Sequence, residues 1–304
     1  MKKNKKNDGR LNAFYDIIHN MKKQRVFVIG GPTASGKSSL AIKLAQQIKG
    51  VIVNGDAIQV YKDLQVLSAR PSKAEQQNIP HYLFGYVDAW TTPSLADWLK
   101  NVKEILPTLK NPIVVGGTGM YLDALINGVN EIPEIPPEIR EKVRNMPLEE
   151  VKSLMKNYPL QDPQRLRRAL EVQLTTGKSL QYFHKQPKKK IENIDFCLIH
   201  VLPDREKVYQ NCAKRFDLMK KEGAIEEVER LNKIKATGGV LKAIGVPEIQ
   251  AYLTKEITEA EMTEKVVTST RQYAKRQMTW FRHHGDPRYI ITDISSVDID
   301  EITK

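Results

Sequence analysis

Eight consecutive residues, Gly31, Pro32, Thr33, Ala34, Ser35, Gly36, Lys37 and Ser38, spell GxxxxGK[ST]. Glycine at both ends of the spacer lets the backbone turn its N–H groups inward around phosphate oxygens. Lys37 adds a full positive charge, and the Ser38 hydroxyl can ligate a magnesium ion. A second group with chemical potential is Asp56, just past the short apolar run 51–53. A carboxylate beside a phosphate cradle can take a proton from an attacking nucleophile. An Asp in such a place also commonly serves as a turn or cap residue. Thr118 closes a third run, Gly116-Gly117-Thr118-Gly119, where a nucleotide triphosphatase would often carry a metal-binding Asp.

These residues need elements to hold them. Residues 25–31 read as a buried strand running into the glycine turn. Residues 37–48 have apolar positions at 40, 41, 44, 45 and 48, the spacing of a helix. A helix beginning at Lys37 aims the positive end of its dipole at the cradled anion. Further strands are predicted over 51–53, 112–115, 196–201 and 289–292, with helices over 95–109 and through 205–284. Short apolar strands alternating with helices predict an α/β fold, a P-loop NTPase-like parallel sheet flanked by helices. Ligands bind at the carboxyl ends of such strands, so the cradle, Asp56 and Thr118 should share one cleft. Residues 131–192 contain no convincing strand and are expected to form a small all-helical insertion. The core is then 25–130 with 193–304. Residues 1–24 form a basic arm, and residues 1–20 either precede the natural start at Met21 or form a loose extension.

The chain of 304 residues carries a net charge of +12, and two segments concentrate it. Residues 1–25 hold eight Lys or Arg against Asp8 and Asp16, and residues 161–190 hold eight against Asp162 and Glu171. Charge so localised suits a phosphate-rich partner, although a solvated basic surface would account for it equally. Gln164, Arg165, Leu166, Arg167 and Arg168 alternate basic with core-type residues. Arg271, Lys275 and Arg282 share one helical face with Tyr273, Trp280 and Phe281 among them. Basic and aromatic residues together suit a nucleic-acid backbone and unstacked bases, while Trp280 and Phe281 read better as core. No run of 18 apolar residues predicts a membrane span. The two cysteines, Cys197 and Cys212, form no zinc pattern and fit a reducing cytoplasm. From the residues alone, a nucleic-acid-modifying enzyme, a P-loop small-molecule kinase and an RNA-binding module all remain open.

Eight motifs in order narrow the choice. They are GPTASGKS at 31–38, NGDAIQVY at 54–61, PHYL at 80–83, GGTGMY at 116–121, DPQRLRRALEV at 162–172, KRF at 214–216, KAIG at 242–245 and RQYAKRQMTWFR at 271–282. In this the chain resembles the bacterial tRNA dimethylallyltransferases, also called tRNA isopentenyltransferases. The resemblance implies transfer of a dimethylallyl group from dimethylallyl diphosphate to the adenosine 3′-adjacent to the anticodon. It implies a monomer that binds the tRNA anticodon stem-loop. It implies that the P-loop holds the diphosphate with magnesium, that Asp56 is the general base, that Arg215 faces the diphosphate and that Thr118 sits at the channel mouth. A tRNA path is implied along Asp56, Ala57, Ile58, Gln59, Arg140, Gln164 to Arg168, Lys242, Ala243, Ile244, Gly245, Arg271, Lys275, Arg276 and Gln277. The sequence departs from the family at Ser68-Ala69-Arg70-Pro71, at Val246-Pro247 and in a shorter stretch between Arg140 and Asp162.

Overall fold

The computed structural model describes residues 23–304, so the expectations for residues 1–22 lie outside the described residues. The described chain falls into two compact units. One runs to Ile126 and resumes over Glu192–Lys304; the other is Asn127–Ile191.

The larger unit is built on six parallel strands: β1 (Gln24–Gly30), β2 (Val51–Asn54), β3 (His81–Tyr82), β4 (Pro112–Gly116), β5 (Ile194–Val201) and β6 (Tyr289–Ile291). Their spatial order is β3-β2-β4-β1-β5-β6. From β1 the chain goes to one side of the sheet at β2 and later returns to the other side at β5, so the sequence order reverses around β1. That reversal leaves a crevice at the carboxyl ends of the central strands. β1 and β4 are apolar almost throughout because helices cover both faces of the sheet. Helix α1 (Lys37–Ile48) packs Leu40, Ala41, Leu44 and Ala45 against Phe27, Ile29 and Ile113. α2 (Leu95–Ile105) is started by a capping box of Ser94 and Asp97, and α3 (Gly119–Asn127) follows β4. β3 has only two residues and lacks the apolar run that marks the other strands.

The smaller unit contains α4 (Pro137–Asn145), α5 (Leu148–Leu154), α6 (Pro163–Thr176) and α7 (Leu180–His184). Val143, Val151, Leu166, Ala169 and Val172, all fully buried, form its core. A single bridge between Val129 and Lys189 joins its two ends.

The remaining helices return to the larger unit: α8 (Arg205–Lys221), α9 (Ala224–Lys233), α10 (Val246–Leu253), the long α11 (Glu259–His283) and the terminal α12 (Ile299–Thr303). α8 to α11 form a second apolar cluster with Val60, Tyr61 and Leu64. No helix among the described residues is long and apolar enough to cross a membrane.

Candidate active site

The glycine turn after β1 is shaped by two left-handed residues, Ala34 at φ 60° and Gly36 at φ 88°. Gly36 is the N-cap of α1, and its lack of a side chain also matters because Ile294 packs where a Cβ would stand. With no acidic side chain in the first turn of α1, the positive helix end is left to act on an anion. Ser35 Oγ is buried with no hydrogen-bond partner among the described residues. A buried hydroxyl costs free energy until it is bonded, and a phosphate oxygen would satisfy it. Lys37 Nζ donates to the Pro32 carbonyl at 3.1 Å. Burial lowers the Lys37 ammonium to about 8; nearby Asp56 opposes that shift and Arg215 adds to it. Arg215, half-buried on α8, donates to Thr33 Oγ1 at 3.2 Å, and burial pulls its guanidinium below its usual value. Two cations kept from water without an adjacent carboxylate bond form a site that gains most when an anion enters.

Asp56 is held from two sides. Its Oδ1 accepts from the Ile58 N–H at 2.9 Å, and its Oδ2 accepts from the Gly117 N–H at 3.3 Å. The fully buried Asn54 sets the turn beneath it, accepting from the Asp56 N–H at 2.9 Å and donating to the Asp56 carbonyl at 2.9 Å. Trp98 Nε1 anchors that strand end by donating to the Asn54 carbonyl at 2.8 Å. Thr118 Oγ1 accepts from the Ala57 N–H at 3.1 Å. Asp56, Thr118, the P-loop and Arg215 line one cleft of about 1280 Å³.

A loop at 65–70 forms part of the cleft wall through Leu67, Ser68 and Ala69. Glu227, almost fully buried on α9, accepts from the backbone N–H groups of Gln65, Val66 and Leu67 at 2.5, 2.9 and 2.9 Å. Gln59 then donates to the carbonyls of Ser68 and Ala69, both at 3.1 Å. The expected sites omitted Asn54, Glu227 and Asn211, whose side-chain amide donates to the Ala34 carbonyl of the cradle at 3.2 Å. Asn54 carries the one legible signal, a polar residue ending an apolar strand.

The structure corrects several expected tRNA contacts. Leu166 is buried at 0% exposure, so its side chain packs in the core of its unit, while Ala243, 3% exposed in a core cluster, also edges the cleft. Gly245 is buried at φ 97° and caps α10, its N–H donating to Glu248 at 2.9 Å. Arg167 donates to the Val143 and Met146 carbonyls, which ties α6 to the end of α4. Gln277 is buried between the cradle and Gly117. Arg271 lies over the Tyr209 ring and Arg168 pairs with Glu171 at 3.3 Å. Arg140, Gln164, Arg165, Lys242, Lys275 and Arg276 are exposed. Of the aromatic residues on α11, Phe281 is core, whereas Trp280 is half-buried and stacks on His284 at 4.7 Å.

Among the described residues no three His, Cys, Asp or Glu side chains gather as a metal cage. Magnesium, which keeps several waters and shares substrate phosphates, needs only one or two protein ligands. The Ser38 hydroxyl at the head of α1 fits that demand.

Fold and site together define a P-loop α/β protein that sets a glycine-rich turn and two cations against a fixed carboxylate. Residues 59–284 match the family described as IPP transferase, and residues 24–84 match that described as isopentenyl transferase. A tRNA dimethylallyltransferase of Rhizobium johnstonii is 44% identical over 278 residues, which are 85% of this chain and 94% of that one. The tRNA dimethylallyltransferase of Zymomonas mobilis subsp. mobilis is 42% identical over 302 residues, covering 94% and 97%. A eukaryotic dimethylallyltransferase, seen in crystallographic snapshots acting on tRNA, matches with a TM-score of 0.76 at 28% identity, over 90% of this chain and 75% of that one. The chain belongs to the tRNA dimethylallyltransferase family.

Proposed function

We propose that this protein transfers a dimethylallyl group from dimethylallyl diphosphate to the exocyclic amine of the adenosine 3′-adjacent to the anticodon in tRNA. The observation that carries this reading is the shared cleft of Asp56 and the phosphate cradle, in a chain of this family. The amine nitrogen forms a bond to the first allyl carbon as the carbon–oxygen bond to diphosphate breaks. The bonding electrons leave with the diphosphate, and the amine proton goes to Asp56. The products are isopentenyladenosine and diphosphate.

The amine is a weak nucleophile because its lone pair is delocalised into the ring, so both ends of the reaction need help. Asp56 is the general base, and two backbone N–H bonds fix where its carboxylate points. At the other end, the P-loop N–H groups, Lys37 and Arg215 stabilise the charge that grows on the leaving diphosphate. Magnesium held at Ser38 would neutralise part of that charge when bound. The adenine must leave its stack to enter the cleft. Thr118 stands at the mouth, and exposed Arg140, Arg165, Lys242 and Lys275 hold the anticodon stem-loop through its phosphates. The protein acts as a monomer in the cytoplasm.

Incubation with magnesium, radiolabelled dimethylallyl diphosphate and unmodified tRNA tests the reading. Label in the RNA, with modified adenosine found beside the anticodon after nuclease digestion, is the expected result. No label in any tRNA, alongside ATP-dependent phosphorylation of a small acceptor, would replace the transferase with a kinase.

A further inference from the structure

Gln277 sits in the C-terminal third of α11, next to exposed Arg276, and is only 5% exposed itself. Its side-chain carbonyl accepts from the Thr33 N–H at 2.8 Å, a backbone amide of the phosphate cradle. Its amide nitrogen donates to the Gly117 carbonyl at 2.7 Å. The Gly117 N–H then donates to Asp56 Oδ2 at 3.3 Å. Three hydrogen bonds through one side chain and one glycine therefore run from the cradle to the carboxylate. The approach is close enough that a Cβ on Gly117 would collide with Gln277 Nε2 and press on Asp56 Oδ2. One helical turn earlier, the half-buried Tyr273 lies beside the side chains of Thr118 and Gln277. Thr118 in turn accepts from Ala57 beside Asp56. α11 thus borders the carboxylate's surroundings from positions i and i+4, with Gln277 making the hydrogen bonds.

Resting on the transferase reading above, we infer that Gln277 is a positioning residue that fixes Asp56 relative to the diphosphate cradle, and that it makes no side-chain contact with tRNA. The two reacting partners bind to different elements: the allyl diphosphate to the turn after β1, and the amine near the turns after β2 and β4. Their alignment depends on whatever joins those turns. A displacement of about 1 Å between reacting groups can cost roughly 10²-fold in rate. The side chain must accept at one tip atom and donate at the other. A glutamine does both, an ionised glutamate only accepts, and a methionine of similar length offers almost nothing.

The test uses the full chain with Gln277→Met and Gln277→Glu, measuring single-turnover transfer at saturating substrates and tRNA Kd by filter binding. Gln277→Met is expected to lower the transfer rate by roughly 10²-fold while tRNA Kd stays within about twofold. Gln277→Glu keeps the size and the acceptor but loses the donor toward the Gly117 carbonyl at neutral pH. Protonating the new carboxyl restores a donor, so its rate relative to wild type should climb as pH falls from 8 to 5.5. For Gln277→Met the same ratio should stay flat, which separates positioning from general loss of structure. Weakened tRNA binding with an unchanged saturated rate would overturn the inference and return Gln277 to the tRNA face. Wild-type rates in both variants, or a flat ratio for Gln277→Glu, would overturn it too. Wild-type protein that transfers no label removes the transferase reading and this inference with it.

Discussion

In the sheet-containing unit, Asp56, Lys37 and Arg215 are half-buried, with Asp56 and Arg215 both close enough to act on Lys37, and all three are tied by hydrogen bonds to backbone or to Thr33. In the helical unit, Arg140 and Arg165 stand exposed on α4 and α6, and the core behind them is wholly apolar. The first arrangement spends folding energy to place charge at fixed points, the condition for stabilising a transition state. The second spends little and presents charge to solvent, which suits a flexible phosphate backbone. Side chains of similar chemistry should therefore fail in different ways in the two units. Changes at the cleft should alter rate, and changes on the helical surface should alter affinity.

Asp56→Asn should give the largest effect. The amide fills the same space but cannot take the amine proton, so the single-turnover rate should drop by roughly 10²–10⁴. Dimethylallyl diphosphate and tRNA affinities should hardly change. Rates within threefold of wild type would break the contrast at its strongest point.

Leu166→Ala makes the opposite case within the helical unit. Leu166 is fully buried among Val143, Val151 and Leu170, so truncation should cost about 2–5 kcal/mol of that unit's stability. Amide hydrogen exchange along α6 is the measure, since local opening reports that loss directly. The saturated transfer rate should stay close to wild type. A rate loss without faster exchange would mean that Leu166 touches substrate after all.

Much of the cleft was legible because its chemistry is written in backbone-shaping residues. Gly31, Gly36, Lys37 and Ser38 occur at a spacing that few other structures require, and Asp56 follows directly from a strand end. The apolar runs that mark β1 and β4 reflect burial on both faces. β3 was not legible, because its two residues are defined by pairing with Ile52 and Val53 and by no pattern of their own. The basic helices misled in a specific way. The tRNA path implied by the resemblance takes Gln164 to Arg168 as one stretch, so Leu166, which the alternation reads as core-type, and Arg167 were grouped with surface contacts. Gln277 and Glu227 were illegible for a common reason: their partners are backbone groups at Thr33, Gly117 and residues 65–67, far away in sequence. A polar residue in a polar helix gives no sign that it is buried.

Lys37 allows a test by pH. Its folded value of about 8 lies below the ordinary value of about 10.4 for a free lysine. Between those values the unfolded chain holds the extra proton, so this group's contribution to stability rises with pH across that window. Ligand binding has the opposite sign, because the diphosphate needs the ammonium. Dimethylallyl diphosphate affinity should therefore weaken above pH 8, by at most about tenfold per pH unit. Calorimetric titration from pH 7 to 9.5 would record it. Lys37→Arg, which keeps its charge throughout, should flatten the curve.

Arg165→Gln should produce the smallest effect and sharpen the comparison most. Arg165 is the direct neighbour of Leu166 on α6, yet its side chain is exposed where that of Leu166 is buried. Removing one phosphate contact should weaken tRNA binding several-fold at low salt. It should also reduce the slope of log affinity against log salt by about 0.7–0.9, one contact's share. The single-turnover rate at saturating tRNA should not change, because the residue fixes no reacting atom. The salt slope separates this from mere weakening: a lost apolar or base contact lowers affinity equally at all salt concentrations. An unchanged slope with normal affinity would move the tRNA path off α6 and leave the basic charge of 161–190 as a solvated surface.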